Sequence, residues 1–231
     1  MSMLMWLAGA VSLVAHAEVP LPAYPGCGEV DRVDLCPVDF QGQWPYISYI
    51  PNGSRNTVRA EELALGSGIH ADTAWSMTTG DVSVVLAVAD TGVDWADTSL
   101  LRKWVLNQGE LPAPMDALGA TCPDEDFDGN GWHNLDDWRD DARVDVTSGA
   151  DGADAFLDPS DLIATFSDGT DADNNGFVDD ICGWDFFGRD NDAQSDRRDG
   201  FGTHGHSVLR VVAAEGGDGD GRIGVCPNCP L

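Results

Sequence analysis

Between Asp116 and Asp199 the chain places 24 carboxylates against five arginines (Arg139, Arg143, Arg189, Arg197, Arg198) and no lysine, a net charge of −19. No other feature limits the fold as much, because such a density of like charge repels itself unless cations sit among the carboxylates. The surrounding stretch, about Leu111 to Phe201, is rich in Gly and Asn and weakly periodic. A structureless connection of that length is out of place inside a compact domain, so bound ions are expected to organise it. Elsewhere the chain is ordinary: 42% hydrophobic residues over 231 positions suffice for a medium domain with a real core, despite a total charge of −28. An isoelectric point near 4.1 argues against nucleic acid or an anionic membrane as partner. No apolar run reaches the roughly 18 residues of a membrane span.

The first residues are an apolar run ending in Ala15-His16-Ala17, which reads as a signal peptide (1–17) cleaved after Ala17. Residues 18–42 follow as a Pro- and Gly-rich N-terminal segment, and 43–231 as the main domain, with an acidic insertion at about 111–201. Six cysteines (Cys27, Cys36, Cys122, Cys182, Cys226, Cys229) are an even set that can pair fully outside the cytosol, Cys27 with Cys36 closing a local loop. A secreted, extracellular or periplasmic location suits both the cysteines and the acid.

Three segments carry element signals. Ile69 to Trp75 is helix-like. Val82-Ser-Val-Val-Leu-Ala-Val-Ala89 is nearly all apolar and β-branched, as in a parallel strand covered on both faces. Gly205 to Glu215 predicts a helix with Val208, Val211 and Val212 on one face and Gly216-Gly217 as its stop.

Two acidic loops have calcium-loop spacing. Asp126, Asp128, Asn130, Asn134 and Asp137 stand at positions 1, 3, 5, 9 and 12 of a twelve-residue loop, with Gly131 at 6 and the Trp132 carbonyl at 7. The second loop has Asp171, Asp173, Asn175, the Phe177 carbonyl and Asp179 at the first five ligand positions, with Gly176 at 6 and Cys182 at 12. Structural Ca2+ is the expected cofactor.

The chemistry is expected elsewhere. The apolar strand runs into Asp90-Thr91-Gly92-Val93-Asp94, which sets Asp90 at the rim where functional groups of open α/β sheets gather. His204 opens the apolar helix in Gly202-Thr-His204-Gly-His-Ser-Val-Leu-Arg-Val-Val-Ala-Ala214. Val82–Asp94 resembles the aspartate motif of the subtilisin-like serine peptidases (subtilases, peptidase family S8), and His204–Ala214 resembles their histidine motif, in the same order. Gln43-Trp44, Ala74-Trp75, Trp104-Val-Leu-Asn107-Gln-Gly-Glu110, Asn175 to Phe186 and Gly224-Val-Cys-Pro-Asn228 extend the likeness over roughly residues 40 to 231.

The resemblance implies an α/β fold, a subtilisin-like parallel sheet with flanking helices, incomplete in this chain and carrying long acidic loops. It implies a serine endopeptidase acting on polypeptide substrates, with Asp90 orienting His204 and His204 taking the proton of a serine nucleophile. The family's Gly-Thr-Ser-x-Ala serine segment and its oxyanion asparagine have no counterpart here, and Gly66-Ser67-Gly68 stands in another context. The chain therefore reads as the front portion of such an enzyme, inactive alone. His206, Leu209 and Arg210 replace the family's usual Thr, Ala and Gly. The rival reading is a non-catalytic calcium-binding extracellular module on the same scaffold. A zinc site of His204, His206, Cys226 and Cys229 is the less favoured alternative, since ligation would remove His204 as a base.

Overall fold

A computed structural model describes residues 69–75, 77–122, 125–127, 129–149, 156–195, 203–215 and 223–231. The signal peptide, the 18–42 segment, Cys27, Cys36, Gln43-Trp44, Ser67, Asp128, Gly202 and the Gly216-Gly217 stop lie outside these residues.

Among the described residues the regular elements are helices: α1 (Ala71–Trp75), α2 (Pro159–Phe166) and α3 (His204–Ala213). Tight 3-10 turns form at Leu101–Lys103 and Leu135–Trp138. Helix α2 starts on a reciprocal cap: the Asp158 side chain accepts from Ser160 N, Asp161 reaches back to Asp158 N, and Pro159 sits in the first turn. Helix α3 begins one residue before the expected start. Its last turn is closed by the Ala214 N–H on the Arg210 carbonyl and by a returning segment, with Gly224, Val225 and Cys226 N–H groups donating to the carbonyls of Ala214, Val211 and Val212.

The apolar run 82–89 departs from expectation. Val82, Val84 and Val85 are 42%, 49% and 56% exposed, where a strand covered on both faces was expected. Burial of a parallel strand comes from ladder neighbours and the layers they carry. The run's backbone instead bonds the Asp81 turn, through Ser83 N and Val84 N, and the Pro230 carbonyl, which accepts from Leu86 N at 2.9 Å. Short parallel pairings do occur close by. Val93 bridges Gln194 in the parallel sense. Leu231 donates to Lys103 O and accepts from Val105 N, the alternation of a parallel pair, and Asn107 N donates to Ile181 O.

Trp95, Leu100, Trp104, Leu106, Leu135, Trp138, Leu162, Ile181, Cys182 and Leu209 form one buried cluster. Trp95 and Trp104 meet edge to face at 4.9 Å, and Trp138 packs on Phe166 at 4.9 Å. Arg143 lies over both Trp138 and Phe166 while its guanidinium holds Asp141 and the Ala113 carbonyl.

Around this core the acid of the middle segment is put to structural use. Asp137 accepts from Phe127 N and Asn134 N, Asp141 from Met115 N, Asp161 from Gly149 N and Asp158 N, and Asp179 from Asp168 N and Gly169 N. All four are buried. A segment with little ladder or helix leaves backbone donors without partners, and these carboxylates supply them. Bonded backbone donors therefore help to organise the acidic stretch.

The cysteines also depart from full pairing. Cys226 and Cys229 are joined, whereas Cys122 and Cys182 carry free thiols. Cys182 is sealed in the core, and burial pushes its thiol up.

Truncating Asp161 to Ala strands two backbone donors in a buried place. It should lower unfolding free energy by about 1–3 kcal/mol in urea titrations, with the slope unchanged.

Candidate functional site

The turn Asp90-Thr91-Gly92 and the first turn of α3 meet face to face. His204 Nδ1 lies 2.8 Å and 2.9 Å from the two oxygens of Asp90, across 114 positions of sequence. Asp90 Oδ1 also accepts from Thr91 N at 2.8 Å. The hydrogen bond to His204, and then that from the Thr91 amide, hold the Asp90 carboxyl below the usual carboxylate range.

Local sequence explains the close approach. Thr203 precedes α3 without capping it through its side chain. Thr91 Oγ1 instead accepts from Gly205 N at 3.0 Å, so the aspartate turn caps the histidine helix. Gly205 permits the contact, since a Cβ there would stand 2.7 Å from Gly92 O and 2.9 Å from Asp90 Cβ. The His204 side chain is 70% exposed. With Nδ1 turned to Asp90, Nε2 carries no hydrogen bond among the described residues and opens to solvent.

His206 and Arg210 point to a different carboxylate. His206 Nε2 lies 2.8 Å and Arg210 Nε 3.2 Å from Asp97 Oδ2, while Asp97 Oδ1 accepts from the Ser99 N–H and hydroxyl. Burial alone would raise the Asp97 carboxyl, but His206, Ser99 and the Arg210 charge outweigh it and hold it well below the usual range. The four-ligand zinc set is not assembled: the Cys226 and Cys229 sulfurs are bonded to each other, and the two imidazoles serve separate aspartates.

The two acidic loops share one frame over their first seven positions. Asp126 accepts from Asn130 N and Gly131 N, and Asp171 from Asn175 N and Gly176 N. Asn130 accepts from Trp132 N, and Asn175 from Phe177 N. Left-handed backbone recurs at Gly129 and Gly131, then at Asn174 and Gly176.

Beyond that frame the loops diverge. Asn134 and Asp137 form a capping box for the Leu135–Trp138 turn. Asp179 gives both oxygens to the 168–169 amides. Three residues to which the loop spacing gives no ligand role, Asn107, Glu110 and Asp180, join the second loop. Glu110, Asp171 and Asp173 each present an oxygen within 4.8 Å of the others, and Glu110 accepts from Asp173 N. Asn107 and Asn175 bridge the carboxylates of Asp173 and Asp180 with their amide NH2 groups. The hydrogen bond from Asn107 is the main cause holding the Asp173 carboxyl down. Gly109 has no room for a side chain here, since a Cβ would stand 2.5 Å from that of Asp173. An open cavity of about 610 Å3 adjoins, lined by Asn107, Gly109, Asp173, Asp180 and Gly183 among others. Asn107 and Glu110 lie in a stretch notable in sequence only for its likeness to the subtilases. Asp180 adjoins the residue that the loop spacing selects.

Replacing Gly205 by Ala drives a methyl group into the Gly92 carbonyl and should separate Asp90 from His204. The check is 15N-detected histidine spectra, in which His204 loses its Nδ1–H form while the other histidines keep theirs. No family model, curated protein or solved structure matches this chain.

Proposed function

We propose that the protein is a secreted, calcium-stabilised serine endopeptidase of the subtilisin class, with Asp90 and His204 as two members of its triad. The carrying observation is the contact of His204 Nδ1 with both Asp90 oxygens. An aspartate on Nδ1 fixes the tautomer whose Nε2 lone pair can take a proton, and it stabilises the imidazolium that results. In this reading His204 Nε2 receives the proton of a serine hydroxyl as that oxygen attacks the peptide carbonyl, then returns it to the leaving amine. The solvent-open face of His204 supports an approach by polypeptide. The sheet of the family's α/β fold is supported only by short parallel pairings, at Val93 with Gln194 and at Leu231 with 103–105. The Cys226–Cys229 bond suits an oxidising compartment. Among the described residues no helix is long and apolar enough to cross a membrane.

The second acidic loop is the proposed calcium site. Its donors are all oxygen, as a hard cation requires, and converging carboxylates gain by having a divalent ion among them. Asp171, Asp173 and Glu110 would hold the ion, with Asp180 beside them. Asp126 and Asn130 give the first loop the same frame, and its Asp128 lies outside the described residues.

Two experiments test these assignments. The gene is read beyond codon 231 for a Gly-Thr-Ser-x-Ala segment, and the product of the whole reading frame is treated with a fluorophosphonate. Labelling that disappears in His204→Ala is expected. A folded product that takes no label rejects the peptidase and favours the non-catalytic calcium-binding module. For the ion, adding calcium to 100 times its dissociation constant should stabilise the protein by about 2.7 kcal/mol, seen as a raised melting temperature. Glu110→Gln should abolish most of that rise, and a melting temperature indifferent to calcium in the unaltered protein rejects the site.

A further inference from the structure

Helix α3 is gripped along its length by one stretch of chain. Residues 90–102 run beside it in the same direction: Asp90 meets His204, Thr91 meets Gly205, Asp97 meets His206 and Arg210, and Ser99 O accepts from Glu215 N. Arg102 then pairs with the Glu215 carboxylate.

The contacts lie on different sides of the helix. His206 and Arg210 are four residues apart and so share a stripe. His204 is two residues from His206, roughly 200° around the axis, nearly opposite. Asp90 and Asp97 therefore hold the first turns of α3 from two sides, and both belong to a segment fixed by the buried Trp95 and by the Val93–Gln194 pairing.

That arrangement constrains the rotation of α3 about its axis. The exposed His204 ring has little packing of its own to set its direction. The His206 ring, by contrast, is largely enclosed, and its Nδ1 is buried without a hydrogen-bond partner among the described residues. Its contact with Asp97 is then the polar anchor of that side of the helix. Two of the three residues that depart from the subtilase histidine motif, His206 and Arg210, converge on this one carboxylate.

We infer that Asp97 is a positioning residue: through His206 and Arg210 it sets the rotation of α3 and so holds His204 in register with Asp90. The inference rests on the peptidase reading of that pair and deepens it. Asp97 acts through other residues and touches no reacting atom.

The test is NMR of the full chain with 15N-labelled histidine, following the His204 tautomer and its downfield Nδ1–H proton. Circular dichroism at 222 nm reports whether the helices persist. In the unaltered protein His204 should carry its proton on Nδ1 and show the downfield resonance. Asp97→Asn should lose that resonance and leave His204 a mixture of tautomers, with helical signal retained. His206→Gln and Arg210→Gln each spare one contact and should show a partial loss. Arg210→Lys, which keeps the charge, should lose less than Arg210→Gln. If Asp97→Asn does not fold, the His206 and Arg210 variants decide. An unchanged His204 signature in folded variants overturns the positioning role while leaving the Asp90–His204 pair intact. Absence of the signature in the unaltered protein would instead remove the pair itself, and the peptidase reading with it.

Discussion

A carboxylate oxygen accepting a backbone N–H is the interaction on which this structure depends. Among the described residues helices are short and pairings between extended segments are brief, so much of the middle segment lacks the usual partners for its amides. Aspartate has the right reach for the task, since its oxygens can bond amides two to five residues on, as at Asp116, Asp126, Asp145, Asp168 and Asp171. The charge that appears as an obstacle in the composition is, in the folded chain, a supply of acceptors. At Asp145 and Asp168 the Thr147 and Thr170 hydroxyls, and then their amides, hold the carboxyl below its usual range.

The candidate site is built from the same interaction and from steric economy. Thr91 caps α3 where the residue preceding the helix does not, and Gly205 lets the helix descend onto the aspartate turn. Asp90 and Asp97 then divide the helix between them. One holds an exposed imidazole whose far nitrogen faces outward, and the other an enclosed imidazole together with a guanidinium. The same residue type serves the same kind of side chain in two settings that differ in burial.

Local signals were the ones the sequence made readable. Helix α3 is legible as a local apolar pattern, whereas the meeting of Asp90 with His204, 114 positions apart, is expected only through the resemblance of their two motifs to those of the subtilases. The shared frame of the two acidic loops followed from their spacing. Helix α2 lies in the weakly periodic acidic stretch, although Asp158-Pro159-Ser160-Asp161 is a helix start in both its cap and its proline. Glu110 and Asp97 were not legible for a different reason. Their partners lie 63 and more than a hundred positions away, and no local pattern encodes a contact that only chain closure creates. Arg210 read as an anomaly until Asp97 supplied its partner.

The segment 223–231 has a kinetic consequence. It joins α3 through three carbonyls, accepts the indole N–H of Trp75 at the Val225 carbonyl across 150 positions, and donates from Asn228 to the carbonyl and hydroxyl oxygens of Thr79 across 149. Closing loops that long costs chain entropy before any of these bonds can repay it. Contacts of such long separation slow the closing of a fold, so the strip ties the rate of folding to the meeting of two segments far apart in the chain.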